Sequence, residues 1–357
     1  MSAPIPDPLP QEVAEQEVEI EYVDGVVLRV QNLTLAEMPP SLRPVGSMNT
    51  VQAVQVKLTS GPWQGRVVTI HNLLSGHPGY DIPLEPGAGV LVSVETHPGK
   101  TTPDINIADR ARAPALGFLF GLFLLALLLV GGPPTSRMLI LVALLVLGLA
   151  NWVLPESLVG VAPLLLMGTT LGVFCAGAAS WMLENRVATA QTLISCLLSL
   201  TVVGLACGAL IVFAPLRGFS TETLAAMWQT NPTIDFAQLL AAGVLLAHTG
   251  LIFHLVATTV QRAHQQQASR YTAVLGLGRP LLATLGAGLV LVYLGLNLPM
   301  MLEITEIPLP KFINLESVTS TLGAALCGGL GLVASLPITA LVVGLWPAKP
   351  GVAAQGS

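Results

Sequence analysis

The chain has 357 residues, of which 53% are hydrophobic and only 10% charged, and its mean hydropathy is +0.73. A soluble domain carries about a quarter charged residues, so this composition cannot cover a water-facing surface and excludes a soluble enzyme. Residues 1–112 hold 13 acidic and 7 basic side chains, net −6, whereas residues 113–357 hold 7 and 8, net +1. An acidic head therefore precedes a long apolar body, and it lacks the basic footprint that nucleic-acid binding needs.

Residues 1–16 (MSAPIPDPLPQEVAEQ) are proline-rich and acidic, with no apolar core of the signal-peptide kind. They read as a disordered lead-in. Residues 17–112 read as a small all-β domain. The runs 18–23, 25–30, 50–58, 65–70 and 89–95 are rich in β-branched residues and bounded by Gly, Pro, Asn or Ser. Turn chemistry separates them at Asp24-Gly25, Ser60-Gly61-Pro62 and Glu85-Pro86-Gly87. Short strands at this spacing predict an OB-like barrel, with a small sandwich as the alternative. Residues 31–49 read as a long loop.

Residues 113–346 read as an all-α membrane domain of seven spans, at about 114–132, 137–154, 158–182, 191–214, 236–259, 275–298 and 322–346. Residues 347–357 form a tail. The connections Gly131-Gly132-Pro133-Pro134 and Pro155-Glu156 are short enough to predict helical hairpins. Gly168 with Gly172, and Gly204 with Gly208, are Gly-x-x-x-Gly pairs that predict close helix packing. Pro280 and Pro337 read either as ordinary prolines of packed spanning helices or as helix breaks that free backbone carbonyls, as at transporter sites.

Burying a polar group in a span is expensive, so each such residue is a candidate for function. The candidates are His248 and His254 in the fifth segment and Asn297 near the end of the sixth. The histidines are six residues apart, about 240° around a helix, so they do not share a face. Each reads either as a hydrogen-bonded packing residue or as a solute or proton contact. Arg279 reads as a snorkelling residue. Cys175, Cys196, Cys207 and Cys327 all lie in apolar runs without Cys-x-x-Cys spacing, so neither a metal site nor a disulfide framework is expected. The chain also lacks His-Glu-x-x-His, Gly-x-Ser-x-Gly, a P-loop and an intramembrane acid pair, so no enzyme and no cofactor are expected. Basic residues near span ends number four on the head's side and six opposite, which predicts that the head lies outside.

The run Gly61–Gly76 (GPWQGRVVTIHNLLSG), the turn and strand Leu84–Val92, and Ile107–Arg110 before the first span follow one another in a distinctive order. Phe312–Val318 precedes a glycine-rich helix ending Ser335-Leu336-Pro337-Ile338-Thr339-Ala340. Over residues 50–346 this order resembles the YibE/F-like family of bacterial membrane proteins. The resemblance implies a multi-pass inner-membrane protein of permease type. The family also has a Gly-Ala-x-x-Asp-Val stretch matching residues 250–256, where this chain has His254 in place of the aspartate. Gly278–Gly286 keeps little of the family's Gly-Thr-Met-x-Asn-Thr stretch or of its further acid. Family members commonly carry a span before the β domain, and residues 1–16 are not expected to supply one. A histidine can still bind a proton near neutral pH.

Two functions fit these observations. One is a permease for a small neutral or amphipathic solute, because the spans offer no acid for coupling to protons. The other is a membrane scaffold whose β domain binds a partner protein through Trp63, Asn72 and Tyr80, on and beside the loop 71–80. In either case the bilayer is the expected environment.

Overall fold

The computed structural model describes residues 19–33, 50–77, 79, 81–97, 100, 102–219, 222–265 and 270–345. The chain divides into two compact units, residues 1–126 and 127–357.

Among the described residues, the first unit holds five antiparallel strands in the order β3-β2-β1-β4-β5. They are β1 (Glu19–Leu33), β2 (Thr50–Leu58), β3 (Val67–Leu74), β4 (Gly89–Thr96) and β5 (Asp104–Arg110). The two runs expected before and after Asp24-Gly25 are one strand. Its first half pairs with β4 and its second half with β2, and the two pairings overlap at Gly25 and Val26. Gly25 does not turn the chain. It is buried, and a methyl group there would strike Val56. β5, the sequence DINIADR, is not among the expected strands, because polar residues surround its only two isoleucines.

Alternation directs Val23, Val27, Val54, Val56, Leu58, Val90, Val92 and Val94 into one core. Each such buried side chain contributes about 1.5–3 kcal/mol relative to exposure. The sheet curls into a half-barrel. The expected closure is absent, since β3 and β5 stay the unpaired edges of the sheet.

The helices are α1 (Ala113–Gly148), α2 (Leu154–Leu158), α3 (Pro163–Met182), α4 (Arg186–Phe213) and α5 (Glu222–Thr230). They continue as α6 (Phe236–Gln265), α7 (Arg270–Leu296), α8 (Leu298–Met301), α9 (Leu309–Phe312) and α10 (Glu316–Leu345). A π turn at Leu149–Val153 joins α1 to α2. Among the described residues, six helical runs are long and apolar enough to cross a membrane, where the sequence predicts seven. The first two predicted spans lie in one run, Ala113–Leu158. The Gly-Gly-Pro-Pro sequence does not open into a loop. Only Gly132 leaves helical geometry, at φ 63° and ψ −158°. Pro133 and Pro134 follow that break, as first-turn residues whose missing N–H costs nothing there. α7 and α10 likewise run unbroken through Pro280 and Pro337.

In the second unit, α10 packs against α4, α6 and α7. Glycines set these contacts. Gly323 faces Leu210 and Gly331 faces Val203, so α10 and α4 run antiparallel. Gly278 of α7 meets Leu336 of α10 and Thr259 of α6.

Candidate functional site

The interior of the second unit holds two polar levels. At the first, His248 of α6 is 1% exposed. Its Nδ1 lies 2.7 Å from the Val244 carbonyl oxygen, which makes Nδ1 the donor. The ring stacks on Tyr293 of α7, with centroids 6.0 Å apart and planes at 12°, and its edge lies against Gly328 of α10. The Nε2 atom is buried without a hydrogen-bond partner. Cys207 of α4 and Cys327 of α10 are buried free thiols.

The second level holds residues that a search for charged or histidine side chains passes over. Gln191, Thr192, Ser195 and Ser199 of α4 are all 0% exposed. Their spacing of i, i+1, i+4 and i+8 puts them on one helical face, turned inward. The Gln191 side-chain oxygen accepts a hydrogen bond from His264 Nε2 of α6 at 2.7 Å. Its Nε2, the Thr192 hydroxyl and the Ser195 hydroxyl are buried without a partner. The antiparallel register carries Ser335 and Thr339 of α10, both 0% exposed, to the same level. Their hydroxyls donate to Leu332 O and Ser335 O within their own helix. Three orphaned polar atoms on adjoining turns make a hydrogen-bonding surface with no acid in it.

The candidates from sequence reasoning are dispersed. His254 is exposed on the outer face of α6, away from His248. Asn297 is half-buried beyond the end of α7 and donates to Tyr293 O at 2.8 Å. Pro280 and Pro337 are exposed. Within this chain a Cβ added at Gly168, Gly204 or Gly208 would meet no atom within 4 Å, and one at Gly172 would meet only Leu197, at 3.5 Å. Gly168, Gly172 and Gly204 floor a groove of about 700 Å³ with Thr169, Leu197 and Thr201. In the β unit Trp63 packs on the half-barrel core beneath the Arg66 guanidinium, 4.6 Å from the ring centroid. Asn72 Nδ2 donates to Ile82 O at 2.8 Å and to Gln52 Oε1 at 3.3 Å. Tyr80 lies outside the described residues.

A family model described as "YibE/F-like protein" matches residues 119–349, and one described as "YibE/F family N-terminal domain" matches residues 46–109. The chain belongs to the YibE/F-like family. The two matches meet the β unit and the helical region in the order the sequence motifs predict. No curated protein and no solved structure matches the chain. Membership of the YibE/F-like family, together with six long apolar helices, makes this a membrane protein.

Proposed function

We propose that this YibE/F-like protein is a permease that passes a small neutral polar solute through the seam between α4, α6 and α10. One observation carries this reading: Gln191 Nε2, Thr192 Oγ1 and Ser195 Oγ are buried together without partners. Leaving a buried polar group without its hydrogen bond costs about 1–3 kcal/mol. Three on one helical face are costly for packing alone and are explained by a solute that completes their hydrogen bonds. Amides and hydroxyls without a carboxylate suit a neutral solute.

No covalent chemistry is needed, so the protein is read as a non-enzyme. We place it in a bacterial inner membrane with the β unit outside, on the basic-residue bias of the span ends. The run Ala113–Leu158 has 46 residues, about 69 Å at 1.5 Å per residue. That is more than twice the roughly 30 Å hydrocarbon thickness, which supports two crossings that reverse near Gly132.

Flux of a panel of neutral solutes into proteoliposomes tests the reading, comparing the native chain with Gln191→Leu and Ser195→Ala. Flux that falls in both variants supports it. A panel that leaks no faster than empty liposomes opposes it.

A scaffold role has one observation in its favour. Ile20, Tyr22, Val26 and Leu28 expose an apolar row on the outer face of β1, the central strand. Under that reading the β unit captures a partner protein through this row, and Tyr22→Ser with Leu28→Ser abolishes capture from membranes.

A further inference from the structure

Between the end of α4 and the start of α6 lies a cavity of about 590 Å³, lined by Arg217, Phe219, Trp228, Asp235 and Phe236 among others. That size falls within the range of small-ligand pockets. The walls are fixed. Glu316 Oε1, at the first turn of α10, accepts the backbone N–H groups of Arg217 at 2.8 Å, Gly218 at 2.8 Å and Phe219 at 3.3 Å. Gly218 has φ +84°, and a Cβ there would collide with the Phe236 carbonyl. The Phe219 ring packs on Phe236, with centroids 5.3 Å apart, and edge-on to Trp228 at 6.4 Å. Asp235 accepts from Gln238 N and from Gln238 Nε2, both at 2.9 Å, and so caps α6.

The charges in this cavity are the informative part. Arg217 and Asp235, both exposed, line the same space without forming an ion pair with each other. The Arg217 guanidinium has no protein partner among the described residues. A bare anion drawn to Arg217 meets the Asp235 carboxylate, and a bare cation meets the guanidinium. A ligand that carries both charges satisfies both. Aromatic faces beside an acid favour an ammonium group, and a guanidinium fork suits a phosphate. The cavity joins the ends of two spans, and Trp228 is 49% exposed, as aromatic residues at a membrane–water boundary are.

We propose that this cavity binds a zwitterionic phosphate–ammonium head group. The phosphate sits on Arg217, and the ammonium lies between Asp235 and the rings of Phe219 and Trp228. A phospholipid in the bilayer and a free glycerophosphoethanolamine share this chemistry. The site is separate from the α4 seam and does not depend on permeation.

The test is native mass spectrometry of the full chain, purified in detergent with equal phosphatidylethanolamine and phosphatidylglycerol. Arg217→Gln leaves the backbone contacts to Glu316 in place, and Asp235→Asn keeps an oxygen that caps α6. Both variants should therefore melt like the native chain. The native protein should retain phosphatidylethanolamine preferentially, and each variant should weaken that retention about tenfold. Displacement by soluble glycerophosphoethanolamine would assign a free solute as a competent ligand, and retention of the lipid alone would assign the bilayer. Equal retention of the two lipids by the native chain would overturn the proposal. So would loss in Arg217→Gln without loss in Asp235→Asn, which describes a plain anion site.

Discussion

The backbone of Gly328 lies against the imidazole of His248, with no room between them for a methyl group. A histidine ring on α6 is thus accommodated by a missing side chain on α10. Gly331 accommodates Val203 and Gly323 accommodates Leu210 in the same way. Three of the glycines that set the contacts of this bundle sit on α10, and Gly278 sits on α7.

Gly328→Ala should therefore overpack the His248 level and cost about 1–3 kcal/mol. Gly204→Ala and Gly208→Ala, where a Cβ meets nothing within 4 Å, should leave stability within about 0.5 kcal/mol. Thermal melting in one detergent compares all three. Equal loss at Gly204 and Gly328 would contradict the assignment of packing to α10.

Glu316 holds the backbone of residues 217–219 through one carboxylate oxygen. Glu316→Ala leaves three N–H groups without that acceptor, and the cost should be about 1–3 kcal/mol. Glu316→Gln retains an oxygen and should cost less. Melting temperatures of the two variants check this order.

Acid should loosen the β-unit loop around residue 81 before the rest of that unit. Desolvation acts to raise the Asp81 pKa, but hydrogen bonds from the Ser75 N–H and hydroxyl and from the Gly76 N–H outweigh it, with help from His77. The folded pKa is lowered. Its stabilisation is therefore fully present above the unfolded value of about 3.9 and is lost as pH falls through the folded value. Hydrogen exchange at Ser75 and Gly76 should quicken in that window. In Asp81→Ala it should already be fast at pH 6 and change little on acidification.

The broad architecture is legible in the sequence because it rests on composition. Alternating β-branched runs mark most strands, and long apolar runs mark the helices. Asp24-Gly25 misleads as a strand break because that dipeptide favours a turn in isolation, whereas Gly25 in the sheet is selected by crowding from Val56. The Gly-Gly-Pro-Pro stretch misleads for a related reason. A proline pair after a single non-helical glycine can start a helical turn as well as end one. The α4 seam escapes a search for charged residues, which passes over Gln191, Thr192 and Ser195. Their spacing on one face is the available signal. The small-residue pairs at 168/172 and 204/208 are visible, but spacing does not reveal how closely a neighbouring helix approaches them.

Reversal of the first helical run near Gly132 should expose its tip. Ser136→Cys should react with a membrane-impermeant thiol reagent from one side of intact vesicles, since Ser136 follows the break closely. Labelling only after detergent is added would place residue 136 inside the bilayer and argue against two crossings.

Access to the α4 seam from water is the central claim, and Ser195→Cys tests it most directly. The four native cysteines are all buried and provide the background rate. The permeation account predicts that a small water-soluble thiol reagent modifies Ser195→Cys in membranes from at least one side, and that Gln191→Leu in the same chain slows the reaction. A cysteine at 195 that reacts no faster than this background, in vesicles where Ser136→Cys labels readily, would contradict a polar path through the seam.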